Sequence, residues 1–164
     1  ASATMTAMRI RRAQVGDAPA ICDLINQYAE QGVMLHRSLE SIYGTLRDFR
    51  VAEDDGAVVG CVATHVFWGD LAEIKSLAVA PSHRGRGVGR QLVEAAAEDA
   101  RRLGLPKLFA LTYERDFFAR MGFDEIDRGA LPEKIWRECI ACPKFDCCDE
   151  TAMSLRLDAP RAGS

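Results

Sequence analysis

The chain has 164 residues, of which 48% are apolar and 27% charged, and its formal net charge is −3. That length suits one domain with one core, and the mix excludes disordered, collagen-like and membrane-spanning classes. A mildly acidic chain lacks the basic excess of a nucleic-acid binder, so no nucleic-acid partner is expected and any phosphate site must be local.

In chain order, Met8 to Arg12 predicts a first strand, and Asp17 caps a helix whose Ile21, Leu24, Ile25 and Tyr28 recur at helical spacing. After Gly32, Ser38 caps a second short helix carrying Leu39, Ile42, Leu46 and Phe49 on one side. Strand two, Arg50 to Glu53, turns at Asp54-Asp55-Gly56 into strand three, Val58 to Trp68, because Asp-Gly supplies the positive φ angles of a tight hairpin. Gly69-Asp70 leads into strand four, Leu71 to Val79. Val88, Leu92, Val93, Ala96, Ala97 and Ala100 mark a helix from Gly87 to Leu103, stopped by Gly104. Strand five is Lys107 to Thr112, a short helix runs from Arg115 to Met121 before Gly122, and Phe123 to Asp127 and Met153 to Leu157 are the last strands. The order is mixed α/β, with 8–157 as a single domain, 1–7 as a frayed or tag-derived end and 158–164 as a polar tail.

No apolar run approaches the roughly 20 residues that span a bilayer, and the first residues do not form a secretory signal. No membrane partner is expected. Six cysteines in a chain too large to need stapling imply reduced thiols and a cytoplasmic location.

The strongest chemical signal lies between strand four and the long helix, in Val79-Ala80-Pro81-Ser82-His83-Arg84-Gly85-Arg86-Gly87-Val88-Gly89-Arg90. Glycines let the backbone turn tightly with its N–H groups inward, and the following helix N-terminus adds positive potential for a pyrophosphate. Arg84, Arg86 and Arg90 bring three cations to that turn. A plain glycine turn with solvated arginines is the bland alternative. A dinucleotide fold would place such glycines after its first strand, and no Gly-Lys-Ser/Thr ending points to a nucleoside triphosphate loop.

In strand four, Glu73, Lys75 and Leu77 alternate onto one face and Ile74, Ser76 and Ala78 onto the other. Glu73 is therefore a candidate general base, with a surface ion pair to Lys75 as the structural alternative.

At Arg84, Gly87 and Gly89, preceded by Leu77-Ala78-Val79, the chain resembles the GNAT acetyltransferase superfamily, and Phe117 to Phe123 is similar to the family's short helix ending in Gly-Phe. The resemblance implies a central, mostly antiparallel sheet of about seven strands, splayed between strands four and five and flanked by about four helices. It implies acetyl-CoA as co-substrate and no metal. The pantetheine arm would pair with the backbone of Leu77 and Val79, beside Ala78, and the Val79 amide would polarise the thioester carbonyl. The diphosphate would lie on Arg84, Gly85, Arg86, Gly87, Val88, Gly89 and Arg90, and Phe118 stands where many members carry the tyrosine that protonates the leaving thiolate. That departure moves the acid role to Thr112 or Tyr113.

Ala72-Glu73-Ile74 and Leu35-His36-Arg37-Ser38 resemble segments of N-acetylglutamate synthases, which implies glutamate or glutamine as acceptor and a place at the first step of arginine biosynthesis. Arg37, Lys75 and Ser76 are then the acceptor-binding candidates, because a guanidinium can hold a carboxylate bidentately. His36 is assigned no catalytic role.

Cys139, Cys142, Cys147 and Cys148 could supply thiolates, but their spacing suits zinc poorly. The expected role of this end, with Lys134, Trp136, Arg137 and Lys144, is a loop over the acceptor cleft. The rival readings are a GNAT enzyme for a protein N-terminus, lysine or drug amine, and a non-catalytic acetyl-CoA sensor or zinc-dependent module. A homodimer is left open.

Overall fold

The computed structural model describes residues 8–127, 129 and 150–158. Seven strands hydrogen-bond in the order β1-β2-β3-β4-β5-β7-β6. They are β1 (Arg9–Arg12), β2 (Phe49–Asp54), β3 (Ala57–Trp68), β4 (Leu71–Val79), β5 (Lys107–Thr112), β6 (Asp124–Ile126) and β7 (Thr151–Arg156). The α-helices of the described residues are α1 (Ala18–Ala29), α2 (Leu39–Gly44), α3 (Val88–Arg102) and α4 (Arg115–Arg120). Contacts group the chain into two compact units, Ala1–Thr64 with Ile74–Asp99 and His65–Glu73 with Ala100–Ser164.

In the first unit β1, β2 and β3 are antiparallel neighbours. Asp55 (φ 52°) and Gly56 (φ 78°) make the tight β2–β3 turn that Asp-Gly predicts. A register shift between Ala52 and Glu53 leaves Val59 as the extra residue of β3, a bulge that sets the faces beyond it. Cys61 and Ala63 then face α1, joining Ala18, Ile21, Leu24, Ile25, Tyr28, Ile42, Phe49, Val51 and Ala78 in one core. Each fully buried Ile or Phe there contributes about 1.5–3 kcal/mol. Gly60 serves the other face. A Cβ on it would lie 2.9 Å from Leu92 and 3.2 Å from Val88, so α3 packs that closely only over a glycine.

Two local expectations are corrected. Asp17 does not cap α1 with its side chain, because its carboxylate is taken by Arg11 (2.7 and 2.9 Å) and by the Gln14 amide (2.7 Å). Phe49 belongs to β2 rather than to the second helix: α2 stops at Gly44, a 3-10 turn follows over Leu46–Asp48, and Phe49 is already extended. The Ser38 cap is as expected, its hydroxyl accepting from the Ser41 amide at 3.0 Å.

In the second unit β4 and β5 pair in parallel at Ala72↔Leu108 and Glu73↔Phe109, while β7 lies antiparallel between β5 and β6. Leu71, Phe109 and Ala152 form its core with Phe67, Leu111 and Ile126 packed against them. α3 ends as Gly104 predicts: that residue has φ 83°, its amide bonds the Arg101 carbonyl and the Leu105 amide bonds that of Ala100.

Candidate active site

The glycine-rich segment closes β4 and opens α3. After the 3-10 turn Pro81–His83, Gly85 and Gly87 adopt φ 77° and 79°. A Cβ at either would meet nothing within 4 Å, so the left-handed backbone, not crowding, requires glycine here. The Gly87 carbonyl accepts from the Gln91 amide at 3.1 Å, which places Gly87 just before the first helical turn. The amides of Val88, Gly89 and Arg90 therefore have no preceding helical carbonyl and carry the positive end of the helix dipole.

Three arginines flank these amides in the chain. Arg84, Arg86 and Arg90 are exposed, Arg90 pairing with Glu94 at 3.1 Å and Arg84 lying 5.1 Å from the centre of the Tyr28 ring. His83 anchors the turn: Nε2 is 2.7 Å from Asp54 Oδ2 at the end of β2, and Nδ1 is 2.8 Å from Ser82 Oγ. First-turn amides without a helical partner, left-handed glycines and exposed arginines within one short segment suit a diphosphate.

β4 corrects the simple alternation read from its sequence. Ser76 has φ 56°, a left-handed residue inside a strand, so the two-residue period does not continue through it. Lys75, Ser76 and Leu77 are all half-buried in consequence. Cys61 on β3 bonds β4 through its side chain: its thiol donates to the Ser76 carbonyl at 3.3 Å and its sulfur receives the Ala78 amide. Burial pushes this thiol up to about 12, so it acts as a hydrogen-bonding group and not as a nucleophile.

The Ala80 amide donates to the Val59 carbonyl at 2.8 Å. Successive residues of an extended chain point their backbone groups to opposite sides. With the Ser76 carbonyl and the Ala78 and Ala80 amides directed at β3, the N–H groups of Leu77 and Val79 face away from it. The Val79 carbonyl accepts from the Tyr28 hydroxyl.

Arg37 is half-buried between α1 and α2 and held by hydroxyls. Its guanidinium donates to Ser41 Oγ (3.3 and 2.9 Å), Thr45 Oγ1 (2.9 Å) and Ser76 Oγ (3.2 Å), and its carbon lies 5.4 Å from the Phe49 ring centre. Asn26 fixes the backbone, accepting from the Arg37 amide and donating to its carbonyl, both at 2.9 Å. Desolvation lowers the Arg37 pKa, with Asp48 the leading opposing influence. A guanidinium remains charged even so, and a poorly hydrated one favours an anionic ligand.

Arg37 and Ser76 are thus brought together, although they lie far apart in sequence. Asn26, Ser41 and Thr45 were absent from the candidates drawn from sequence. The four-residue spacing of Arg37, Ser41 and Thr45 is the signal that could have found two of them. Tyr28, Cys61 and the His83–Asp54 pair carry no comparable local signal.

The other candidates belong to the second unit. Glu73 is 7% exposed beside Phe109 in the parallel register. Thr112 is 8% exposed, and its oxygen accepts from the Glu114 amide at 2.8 Å, which leaves its own proton available to an acceptor. Tyr113 is exposed. Phe118 is buried, in edge contact with Phe117 and Phe123 at 5.1 and 5.0 Å, so little of it is free for a ligand. No group of three or more His, Cys, Asp or Glu residues is placed to hold a metal among the described residues. Lys134, Trp136, Arg137, Cys139, Cys142, Lys144, Cys147 and Cys148 lie outside the described residues.

Residues 19–123 match the Acetyltransferase (GNAT) family. An uncharacterised N-acetyltransferase of Chlorobaculum tepidum is 46% identical over 88% of this chain and 93% of its own. The amino-acid acetyltransferase of Mycobacterium tuberculosis is 40% identical over 84% of this chain and 79% of its own. Among solved structures, N-acetylglutamate synthase from Neisseria gonorrhoeae, complexed with coenzyme A and N-acetyl-glutamate, superposes with TM-score 0.85 at 33% identity. That match covers 94% of this chain and 36% of the synthase.

Proposed function

The chain belongs to the Acetyltransferase (GNAT) family, and we propose that it transfers the acetyl group of acetyl-CoA to the α-amine of L-glutamate or L-glutamine. It is an acyltransferase of the amino-acid N-acetyltransferase kind with acetyl-CoA as co-substrate. The observation that carries the choice of acceptor is Arg37, a desolvated guanidinium held by three neutral hydroxyls and touching β4 through Ser76. Such a group suits an acceptor carboxylate better than the acidic groove that a lysine or drug amine would prefer.

Acetyl-CoA supplies an activated thioester carbonyl. The amides from Gly85 to Arg90, with Arg84, Arg86 and Arg90, hold the diphosphate. Leu77 and Val79 present their N–H groups away from β3, and the Val79 amide meets the charge that grows on the carbonyl oxygen as the amine attacks. Arg37 holds an acceptor carboxylate, with Lys75 and Ser76 beside it. Glu73 takes the proton from the attacking amine, and Thr112, or Tyr113, gives one to the departing sulfur. The new C–N bond forms as the C–S bond breaks, with no covalent enzyme intermediate.

The test is free-thiol release from acetyl-CoA with each of the twenty amino acids and a set of peptide, lysine and drug amines. Turnover concentrated on glutamate or glutamine is expected. Equal turnover of neutral amines would remove the acceptor assignment, and binding without turnover of any amine would favour a sensor.

A further inference from the structure

The last turns of α1 reach both ends of the proposed acetyl-CoA site. Tyr28 is 5% exposed, and its hydroxyl donates to the Val79 carbonyl. The same ring lies under the guanidinium of Arg84 at 5.1 Å. One side chain therefore joins the residue whose amide is assigned to the thioester with the first arginine of the glycine loop.

The effect on Val79 follows from peptide planarity. The unit that begins with the Val79 carbonyl ends with the Ala80 amide, and that amide donates to Val59 at 2.8 Å. This plane is held at both edges, by Tyr28 and by β3. On the other side of Val79 the Ala78 amide is held by the Cys61 sulfur. The Val79 N–H lies between two anchored peptides, and an oxyanion donor is most effective when it needs no reorganisation as charge develops.

We propose that Tyr28 is a positioning residue for acetyl transfer, its hydroxyl setting the direction of the Val79 peptide and its ring setting Arg84 for the cofactor diphosphate. The inference rests on the reading of the chain as an acetyl-CoA-dependent transferase. The two functions of the side chain separate by mutation. Tyr28→Phe removes the hydroxyl and keeps the ring under Arg84, whereas Tyr28→Leu removes both.

The experiment measures kcat by thiol release at saturating substrates and CoA affinity by calorimetry, on protein shown to be folded by thermal melting. Tyr28→Phe is expected to lose about tenfold in kcat while its Kd for CoA stays within about twofold of the parent's, since the cation–π contact remains. Tyr28→Leu should show the same kcat loss and bind CoA about fivefold more weakly. A merely structural tyrosine would lower the melting temperature without this split. A kcat for folded Tyr28→Phe within twofold of the parent, or equal CoA affinity in the two variants, overturns the proposal. Should no amino acid be acetylated, the acceptor reading falls; the thiol-release assay with whichever amine is turned over then tests the hydroxyl, and the CoA affinities of the two variants test the ring.

Discussion

The glycine loop and the connection between α1 and α2 both present arginine, but they do so in opposite ways. In the loop the surface proposed for recognition is backbone: Gly85 and Gly87 supply left-handed geometry, and Arg84, Arg86 and Arg90 stay exposed. Between the helices it is one side chain, with Arg37 half-buried, bonded to Ser41, Thr45 and Ser76, and anchored through its backbone by Asn26. In the roles proposed above, a diphosphate offers many oxygens to many amides, so the loop tolerates loose cations, whereas an acceptor carboxylate offers two oxygens and would depend on one guanidinium at a fixed angle.

The sharpest way to break this contrast is Arg37→Ala. The glutamate KM should rise roughly 10- to 100-fold, the size of a lost charged hydrogen-bonding pair, with the acetyl-CoA KM unchanged within about twofold. Steady-state kinetics with each substrate varied decides it, and an equal rise in both constants would mean that the two regions are not separate.

The reciprocal change is smaller. Gly87→Ala puts a Cβ on a residue at φ 79°, a strain of about 1–2 kcal/mol per residue, and should raise the acetyl-CoA KM about tenfold. The glutamate KM should be unaffected. If the variant binds acetyl-CoA as the parent does, the loop is a turn with solvated arginines and nothing more.

A third substitution lies outside both regions and should move neither KM. Arg11 holds the Asp17 carboxyl below its ordinary value through a two-point ion pair, and the same pairing raises Arg11. Because the folded pKa is depressed, the stabilisation is fully present at neutral pH and is lost as acid protonates Asp17 below about pH 4. Asp17→Asn should cost about 1–3 kcal/mol at pH 7 by thermal or urea unfolding. The variant should also lose less stability than the parent between neutral pH and pH 3. A change in either KM would tie this network to the site.

Much of the fold was legible because its signals are local. The limits of β4 and β5 coincide with the runs read from sequence, and Asp55-Gly56, Gly104 and Ser38 act where turn and cap chemistry places them. Phe49 was misplaced because an apolar residue at helical spacing also fits a strand, and only pairing with Ala63 decides between them. The left-handed turn at Gly85 and Gly87 was legible for the same local reason. Ser76 was named as a candidate, but its backbone was not foreseen: nothing in Lys75-Ser76-Leu77 announces a left-handed serine.

Sequence by itself determined the mixed α/β order, the glycine bend ahead of α3 and the residue types offered to an acyl-transfer site, because turn conformation and hydrophobic period are written over a few neighbouring residues. Tertiary structure alone decided that the Cys61 thiol bonds the Ser76 carbonyl, that Tyr28 meets Val79 and Arg84, and that Ser76 joins Arg37. The contacts of Tyr28 with Val79 and Arg84 and of Arg37 with Ser76 join residues tens of positions apart, and packing of the α1 core face on β3 brings these partners within reach.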